Sequence, residues 1–372
     1  MRKEAIGILS IVMALTLVGI FLVYSASTAH DYADARLIKQ LVFVSVGLIL
    51  LYVTAHLDYN YYRDPFLFRL IVIGTLGLLV AVLIPGIGAE RNGAQRWIDF
   101  GSIFSFQPSE MAKFALIVLL AVKLSENHED IKSFKKGYIP CMIIIGVFAG
   151  LVLLERDLGT PMVICVTAFF MLFVAGIPWY YLAASMIPAS GAVYLLIVTS
   201  EYRYKRITSF LDPWSHAGDE GYQLIQSMTA FAKGSIMGVG PGAGEQKLHY
   251  LPEADTDFIF AVWGEEMGLI GTLALTILFL ALLGVALRIA MNARDTFGML
   301  LVTGIVSLAA FQAAFNMAVT IGLVPTKGIP LPFISRGGTS LLVFMAMMGI
   351  IINVGLQAES PKRRLLKPQT VT

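Results

Sequence analysis

Charge is scarce in this chain of 372 residues: charged side chains make up 14% and apolar ones 57%, where soluble globular domains carry about 25% charge. A chain so poor in charge cannot cover a water-facing surface. Apolar stretches long enough to cross a hydrocarbon core of about 30 Å recur from end to end, which excludes a soluble enzyme on a single anchor. Cysteine is nearly missing, and both copies, Cys141 and Cys165, fall inside apolar runs. They read as small buried hydrophobes and exclude a disulfide framework or a thiolate metal site. His30, His56, His128, His216 and His249 are scattered without ligand spacing, so there is no zinc or haem motif. A net charge of +2 with one short basic run, Lys362-Arg363-Arg364, excludes nucleic acid as a partner. No internal repeat and no low-complexity tract marks a separate soluble domain.

Apolar runs between polar or Gly/Pro breaks predict helices over 5–27, 37–57, 66–85, 109–124, 138–154, 159–176, 178–199, 257–289, 297–323 and 339–357. The run from Ile6 to Tyr24 follows Met1-Arg2-Lys3-Glu4 and is longer than a signal-peptide core, so it reads as a retained first helix. The expected fold is an all-α polytopic membrane protein of about ten transmembrane helices, one domain over 1–372. Arg2, Lys3, Lys132, Lys135, Lys136, Arg288, Arg294 and the tail cluster place both the N and C termini in the cytoplasm. The connection over 200–256 is then one large extracytoplasmic loop. Leu224, Met228 and Phe231 recur in it at helical spacing, which suits an amphipathic helix at the membrane surface, ended by a glycine-rich stretch over 238–244.

Ionisable residues at the mouths of membrane helices are costly and mark either function or paired structural charge. Four outward-facing clusters collect them. The first contains Arg96 and leads to Gln107-Pro108-Ser109-Glu110, with Lys113 three residues beyond Glu110 on the same helical face; a capped helix start with a local ion pair is the plainer reading. The second is the turn Glu155-Arg156-Asp157-Leu158-Gly159-Thr160, whose Asp and Gly also suit a purely structural turn. Tyr202-Arg203-Tyr204-Lys205-Arg206 is the third. Its cations fit lipid headgroups in general or a specific diphosphate, which guanidinium forks match well. The fourth runs from Leu251 to Val262 and contains Asp255 and Asp257, with Glu265 and Glu266 farther on. An acid in a first helical turn often only complements the helix dipole. Beside cations able to hold a diphosphate, however, a carboxylate at the edge of an apolar helix completes the parts for group transfer from a lipid diphosphate.

At these clusters the chain resembles the SEDS family of polytopic proteins (shape, elongation, division and sporulation), which includes FtsW, RodA and SpoVE. The matching segments are Asn92-Gly93-Ala94-Gln95-Arg96-Trp97-Ile98, Phe106-Gln107-Pro108-Ser109-Glu110, Asp157-Leu158-Gly159-Thr160, Gly221-Tyr222-Gln223-Leu224-Ile225-Gln226-Ser227, Tyr250-Leu251-Pro252-Glu253, Thr256-Asp257-Phe258-Ile259-Phe260-Ala261-Val262 and the run from Pro325 to Ser335. The resemblance implies a ten-helix fold in the bacterial cytoplasmic membrane and a peptidoglycan glycosyltransferase that polymerises lipid II. It implies a class B penicillin-binding transpeptidase as partner, among other divisome or elongasome membrane proteins. The family's essential acid falls on Asp257, and its characteristic Arg, Glu and Lys fall on Arg96, Glu110 and Lys113; Asp157 and Ser335 lie in matched motifs and join the expected substrate-binding set. Thr208 to Trp214 and Pro325 to Gly328 look more like the division type, while Ile329 to Phe333 also occurs in the elongation type.

The expected chemistry makes Asp257 a general base on a sugar hydroxyl of lipid II, with undecaprenyl diphosphate leaving. Arg96, Arg203, Arg206 and Lys327 are the candidates to hold the departing diphosphate, where negative charge grows. No carboxylate cage for a divalent cation is visible, which leaves Mg or Mn only a shared role on the phosphates. Three departures from the family pattern stand out: Arg156 where Pro is usual, Asp255 where His is usual, and Arg336 where Tyr is usual. Asp255 is expected to perturb Asp257 through like-charge repulsion. The alternatives are a lipid II flippase, which would need polar residues at mid-membrane such as Gln312 and Asn316, and a scaffold that recruits the transpeptidase.

Overall fold

The computed structural model describes residues 2–27, 33–91, 94–101, 104–126, 130–219, 221–248 and 250–358. Asn92, Gly93, His30, His128, His249 and the basic tail cluster lie outside them. Twelve α-helices follow in chain order: α1 Arg2–Ser27, α2 Ala33–His56, α3 Pro65–Val82, α4 Pro108–Glu126, α5 Ile139–Leu154, α6 Gly159–Val174, α7 Trp179–Val198, α8 Glu201–Leu211, α9 Tyr222–Gly234, α10 Ile259–Met291, α11 Thr296–Thr320 and α12 Gly338–Gln357. The fold is therefore all-α and polytopic. Eight helices are long and apolar enough to cross a membrane: α1, α2, α3, α5 with the turn before it, α7, α10, α11 and α12. Two more were counted as crossings from sequence. One is α6, a shorter apolar helix, and the other is α4, which carries Glu110, Lys113, Lys123 and Glu126. Both pack against α11.

The bundle is organised around α4, α11 and α12. Ile117, Val118, Leu120, Leu300, Ile305, Leu308, Phe344 and Ile351 are almost wholly buried there. At the opposite extreme α7 buries only Leu182 and shows Trp179, Ile187 and Tyr194 on its surface, as a lipid-facing helix should. Gly349 lets α12 close on α2: an added β-carbon would lie 2.0 Å from Thr54 Oγ1.

Three features were not expected from sequence. The connection between α3 and α4 is an antiparallel sheet of β1 Gly88–Arg91, β2 Ala94–Phe100 and β3 Phe104–Phe106, in the order β1-β2-β3, with Gly88 opposite Ile98 and Ile98 opposite Phe106. The long loop holds two helices, α8 and α9, where one was expected; α9 is the amphipathic helix read from Leu224, Met228 and Phe231. Finally, α10 is broken. At 1.5 Å per residue its 33 residues would reach about 50 Å, far beyond the hydrocarbon thickness. Gly268 interrupts it at φ 63°, ψ −162°. The glycine-containing segment over 235–240 lies against the break and satisfies its exposed backbone. Val239 and Gly240 donate to the carbonyls of Glu265 and Glu266 at 3.0 and 3.1 Å, and Leu269 donates to Ser235 O at 2.9 Å. Irregular backbone in a membrane protein is tolerated when its polar groups are paired in this way.

That junction also holds a buried ion pair. Lys247 Nζ donates to Glu266 Oε1 at 2.7 Å, to Gly242 O at 2.7 Å and to Ser25 Oγ of α1 at 2.6 Å. Glu266 accepts in addition from Gly242 N–H at 3.0 Å and from Ser25 Oγ at 2.5 Å. Glu265 beside it accepts from the Glu245 and Gln246 amides.

Candidate active site

Four of the sequence clusters meet at one end of the bundle, around Asp257 just before α10. The turn over 155–158 is placed by Asp157, which accepts from Gly159 N–H at 2.9 Å and Thr160 Oγ1 at 2.7 Å and thereby starts α6. Arg96 on β2 reaches this turn, with one guanidinium nitrogen 3.7 Å from Asp157 Oδ2 and another donating to Arg156 O at 3.0 Å. The turn in turn packs on the loop over 325–335: a β-carbon on Gly159 would lie 3.1 Å from Ile329. From α8, Arg206 donates to Thr326 O at 3.2 Å and stacks its guanidinium 4.7 Å over the Tyr202 ring, while Arg203 donates to Leu196 O. Lys327 lies in that same loop, and its ammonium has no hydrogen bond or ion pair among the described residues.

Asp257 is held by its backbone and left open at its carboxylate. Asn316 of α11 donates to both Asp257 O and Ile329 O at 2.8 Å, tying the two segments together. Ser335 Oγ donates to Thr256 O at 2.6 Å and accepts from Leu331 N–H at 2.7 Å. Gly328 lies directly against the carboxylate, since a β-carbon there would be 2.7 Å from Asp257 Oδ2. Any side chain at 328 would push the acid aside.

Electrostatics couple the cluster. Burial pushes the Asp257 carboxyl up to about 7, with Glu253 and Asp157 adding repulsion and Arg206 and Arg96 opposing it. Lys327 is depressed to about 8 by burial and by the repulsion of Arg206, Arg203 and Arg96, against the pull of Asp157. Cations close enough to lower one another form a site short of negative charge. A diphosphate supplies it.

Several expected roles are redistributed. Glu110 and Lys113 do not line the open site: they form a buried pair at 2.8 Å inside the bundle. Lys113 also donates to Gln312 Oε1 at 2.9 Å, and Gln312 passes the connection on to Pro330 O. The pair supports the 329–330 loop from below. Ser335 spends its hydroxyl on Thr256 and Leu331, and Asp157 orients Arg96, so both brace the site from within the protein. Gln312 and Asn316, the mid-membrane polar residues that a flippase would need, grip the two segments that carry the candidate site.

Asp255 does not behave as its position beside Asp257 suggests. Its carboxylate pairs with Arg336 at 2.8 Å and with Arg36 of α2 at 3.1 Å, and Arg336 N–H donates to Asp255 O at 2.9 Å. The repulsion felt by Asp257 comes from Glu253 and Asp157 instead. The two departures from the family pattern at Asp255 and Arg336 are thus partners of each other. Arg156, the third departure, sits at φ 61°, a conformation closed to proline, whose ring holds φ near −65°.

One acid was passed over in the sequence. Glu155 is fully buried at the end of α5, and neither carboxylate oxygen has a hydrogen-bond partner among the described residues. Burial and the nearby Asp157 push it up to about 8, with Arg96 opposing. Its only sequence signal was its place in the Asp157 turn.

The family model described as "Cell cycle protein", for FtsW, RodA and SpoVE, matches residues 6–360. The chain is 42% identical to a protein of a Geobacter species named "Probable peptidoglycan glycosyltransferase FtsW", covering 95% of this chain and 97% of that one. It is 39% identical to "Stage V sporulation protein E" of Bacillus subtilis, over 95% of this chain and 98% of the relative. The crystal structure of the rod shape determining protein RodA of Thermus thermophilus superposes with a TM-score of 0.71 at 27% identity, covering 95% and 97% of the two chains. A chain from a structure described as "Structural coordination of polymerization and crosslinking by a peptidoglycan synthase complex" superposes with a TM-score of 0.77 at 27% identity, covering 94% and 97%. With its membrane helices and this agreement over almost its whole length, the chain belongs to the FtsW/RodA/SpoVE family as a multi-pass protein of the bacterial inner membrane.

Proposed function

We propose that this protein is a peptidoglycan glycosyltransferase that polymerises lipid II on the outer face of the cytoplasmic membrane, with Asp257 as general base. The observation that carries the reading is geometric: the Asp257 carboxylate lies against Gly328 in the loop that carries Lys327, and Arg206 is bonded to the same loop. A base must be able to take a proton near working pH. The cations beside it must gain from the charge that develops as a diphosphate departs.

In the proposed step, Asp257 accepts the proton of the acceptor sugar hydroxyl, whose oxygen bonds to the anomeric carbon of the growing chain. The bond from that carbon to the diphosphate oxygen breaks, and its electron pair leaves with undecaprenyl diphosphate. Arg96, Arg203, Arg206 and Lys327 receive that charge. Arg96 is aimed by Asp157, while the pair Glu110 and Lys113 with Gln312 holds the loop that carries Lys327. Apolar surface between the helices accommodates the lipid tails. All 372 residues act as one unit in this reading, with the 200–256 loop as its outer part. Ten crossings, counting α4 and α6, put the termini in the cytoplasm and the site outside. Similarity to a chain of a synthase complex supports a class B penicillin-binding transpeptidase as partner. Gln312 and Asn316 bond to segments of the outer site, which supports polymerisation over transport.

The test is polymerisation of labelled lipid II by purified protein, alone and with its cognate transpeptidase, for the parent and Asp257→Asn. Glycan ladders from the parent that vanish in the folded variant support the assignment. An unchanged ladder in the variant removes Asp257 from the base role, and no ladder in either condition turns the reading towards lipid transport.

A further inference from the structure

The opposite end of the bundle carries a second basic site. Between the start of α3 and the end of α4 lies a cavity of about 350 Å³, lined by Arg63, Arg69, Lys123 and Glu126 and walled by Phe68, Leu119 and their apolar neighbours. Among the described lining residues three cations face one acid, with Asp295 outside the lining as the ion-pair partner of Arg63. Arg63 is anchored, 3.3 Å from Asp295 and 5.8 Å over the Phe297 ring. Arg69 and Lys123 have no ion pair or hydrogen bond among the described residues.

The anion cannot be sought at the helix N-terminus, because Asp64 already accepts from Phe66 N–H and Leu67 N–H. Recognition falls to the side chains. Arg69 lies four residues into α3, about 6 Å along its axis, at the depth where headgroups meet acyl chains. On either side of it along the helix, Phe66, Leu70 and Ile73 are 77%, 59% and 65% exposed on the surface of α3. A cationic cavity with apolar walls, opening onto an apolar helix face, matches a molecule that joins a phosphate to acyl chains. A free anion would gain nothing from the walls or the stripe.

We infer that this cavity binds the phosphate headgroup of an anionic glycerophospholipid of the cytoplasmic leaflet, with Arg69 and Lys123 on the phosphate and the acyl chains along α3. The leaflet rests on the orientation proposed above; the cavity and its charges do not. Basic pockets between membrane helices on the cytoplasmic side suit such headgroups.

Native mass spectrometry of the full chain tests this with phosphatidylglycerol and phosphatidylcholine of matched acyl chains. The parent is expected to retain one phosphatidylglycerol in preference to phosphatidylcholine. Arg69→Gln with Lys123→Gln should weaken retention by about tenfold or more, and Glu126→Gln should strengthen it about threefold by removing the one acid. Inorganic phosphate at millimolar concentration should not compete. Equal retention of the two lipids, or unchanged retention in both variants, overturns the proposal. Competition by inorganic phosphate overturns the lipid occupant in favour of a soluble anion. Glycan synthesis is not the readout, so either result leaves the role of Asp257 as it stands.

Discussion

Two groups of buried charge sit towards the same end of this bundle, and they are built to opposite rules. At the break in α10, Lys247 has three acceptors for its three protons, and Glu266 is met by Lys247, Gly242 and Ser25. Around Asp257 the charges are incompletely matched: among the described residues Lys327 is unpaired and Glu155 has no partner on either oxygen, and arginines repel the lysine. A finished network holds structure. An unfinished one stores affinity for what completes it, which is why the second and not the first is the candidate site.

Replacing Asp257 with Asn should bring the largest change, a loss of polymerisation of about a thousandfold or more for a general base that the reaction cannot bypass. The same variant should melt higher at pH 8 than the parent, with the advantage fading at pH 5. The folded acid, raised to about 7, binds more protons than the unfolded one, so its ionised form costs stability as pH climbs through 7. Thermal melts at the two pH values check the sign. Next, Lys247→Met should cost roughly 3 to 5 kcal/mol of stability by stranding Glu266, while Lys327→Met should leave the melting temperature unchanged or raised. In activity the order inverts: Lys327→Met should lose about tenfold to a hundredfold in lipid II polymerisation by the folded protein. If both lysines behave alike, the distinction between finished and unfinished networks fails.

The pH profile sharpens the same contrast. Activity should rise as Asp257 ionises through about 7 and fall as Lys327 loses its proton above about 8, a narrow bell that Lys327→Arg should broaden on the alkaline side. A smaller effect is expected at the ion pair of Asp255 and Arg336. Asp255→His and Arg336→Tyr alone should each lower activity several-fold, and the double variant should recover part of the loss; additive losses would show that the two do not act as a unit. Least affected should be Glu155→Gln, within about twofold of the parent at pH 7, because it replaces a carboxyl that is already neutral there.

Most of the helices were legible because lipid demands long apolar runs, and that demand overrides local propensity. The break in α10 was not, since Ile259 to Met291 is apolar on both sides of Gly268 and the partner segment lies elsewhere in the chain. Nor was α8, whose Arg203, Lys205 and Arg206 drew attention as charge and concealed their helical frame. At the candidate site, Asp257, Arg96 and Lys327 drew attention through their chemistry and family motifs, and the fold brings them near one another. The brace formed by Asn316 and the pairing of Asp255 with Arg336 depend on contacts between distant segments, which residue spacing does not report. Glu155 was overlooked because nothing in a sequence tells a solvated turn carboxylate from a buried one.

The bond from Ser25 to Glu266 spans 241 residues. Its consequence is one of order during biogenesis: the first helix leaves the ribosome long before the carboxylate it will meet. Lys247 and Glu266 can therefore join Ser25 only once synthesis has passed the first turns of α10. Closure of that junction becomes a late event, conditional on the first 266 of 372 residues having been made. A nascent chain stalled before α10 would lack Glu266 and with it the buried pair.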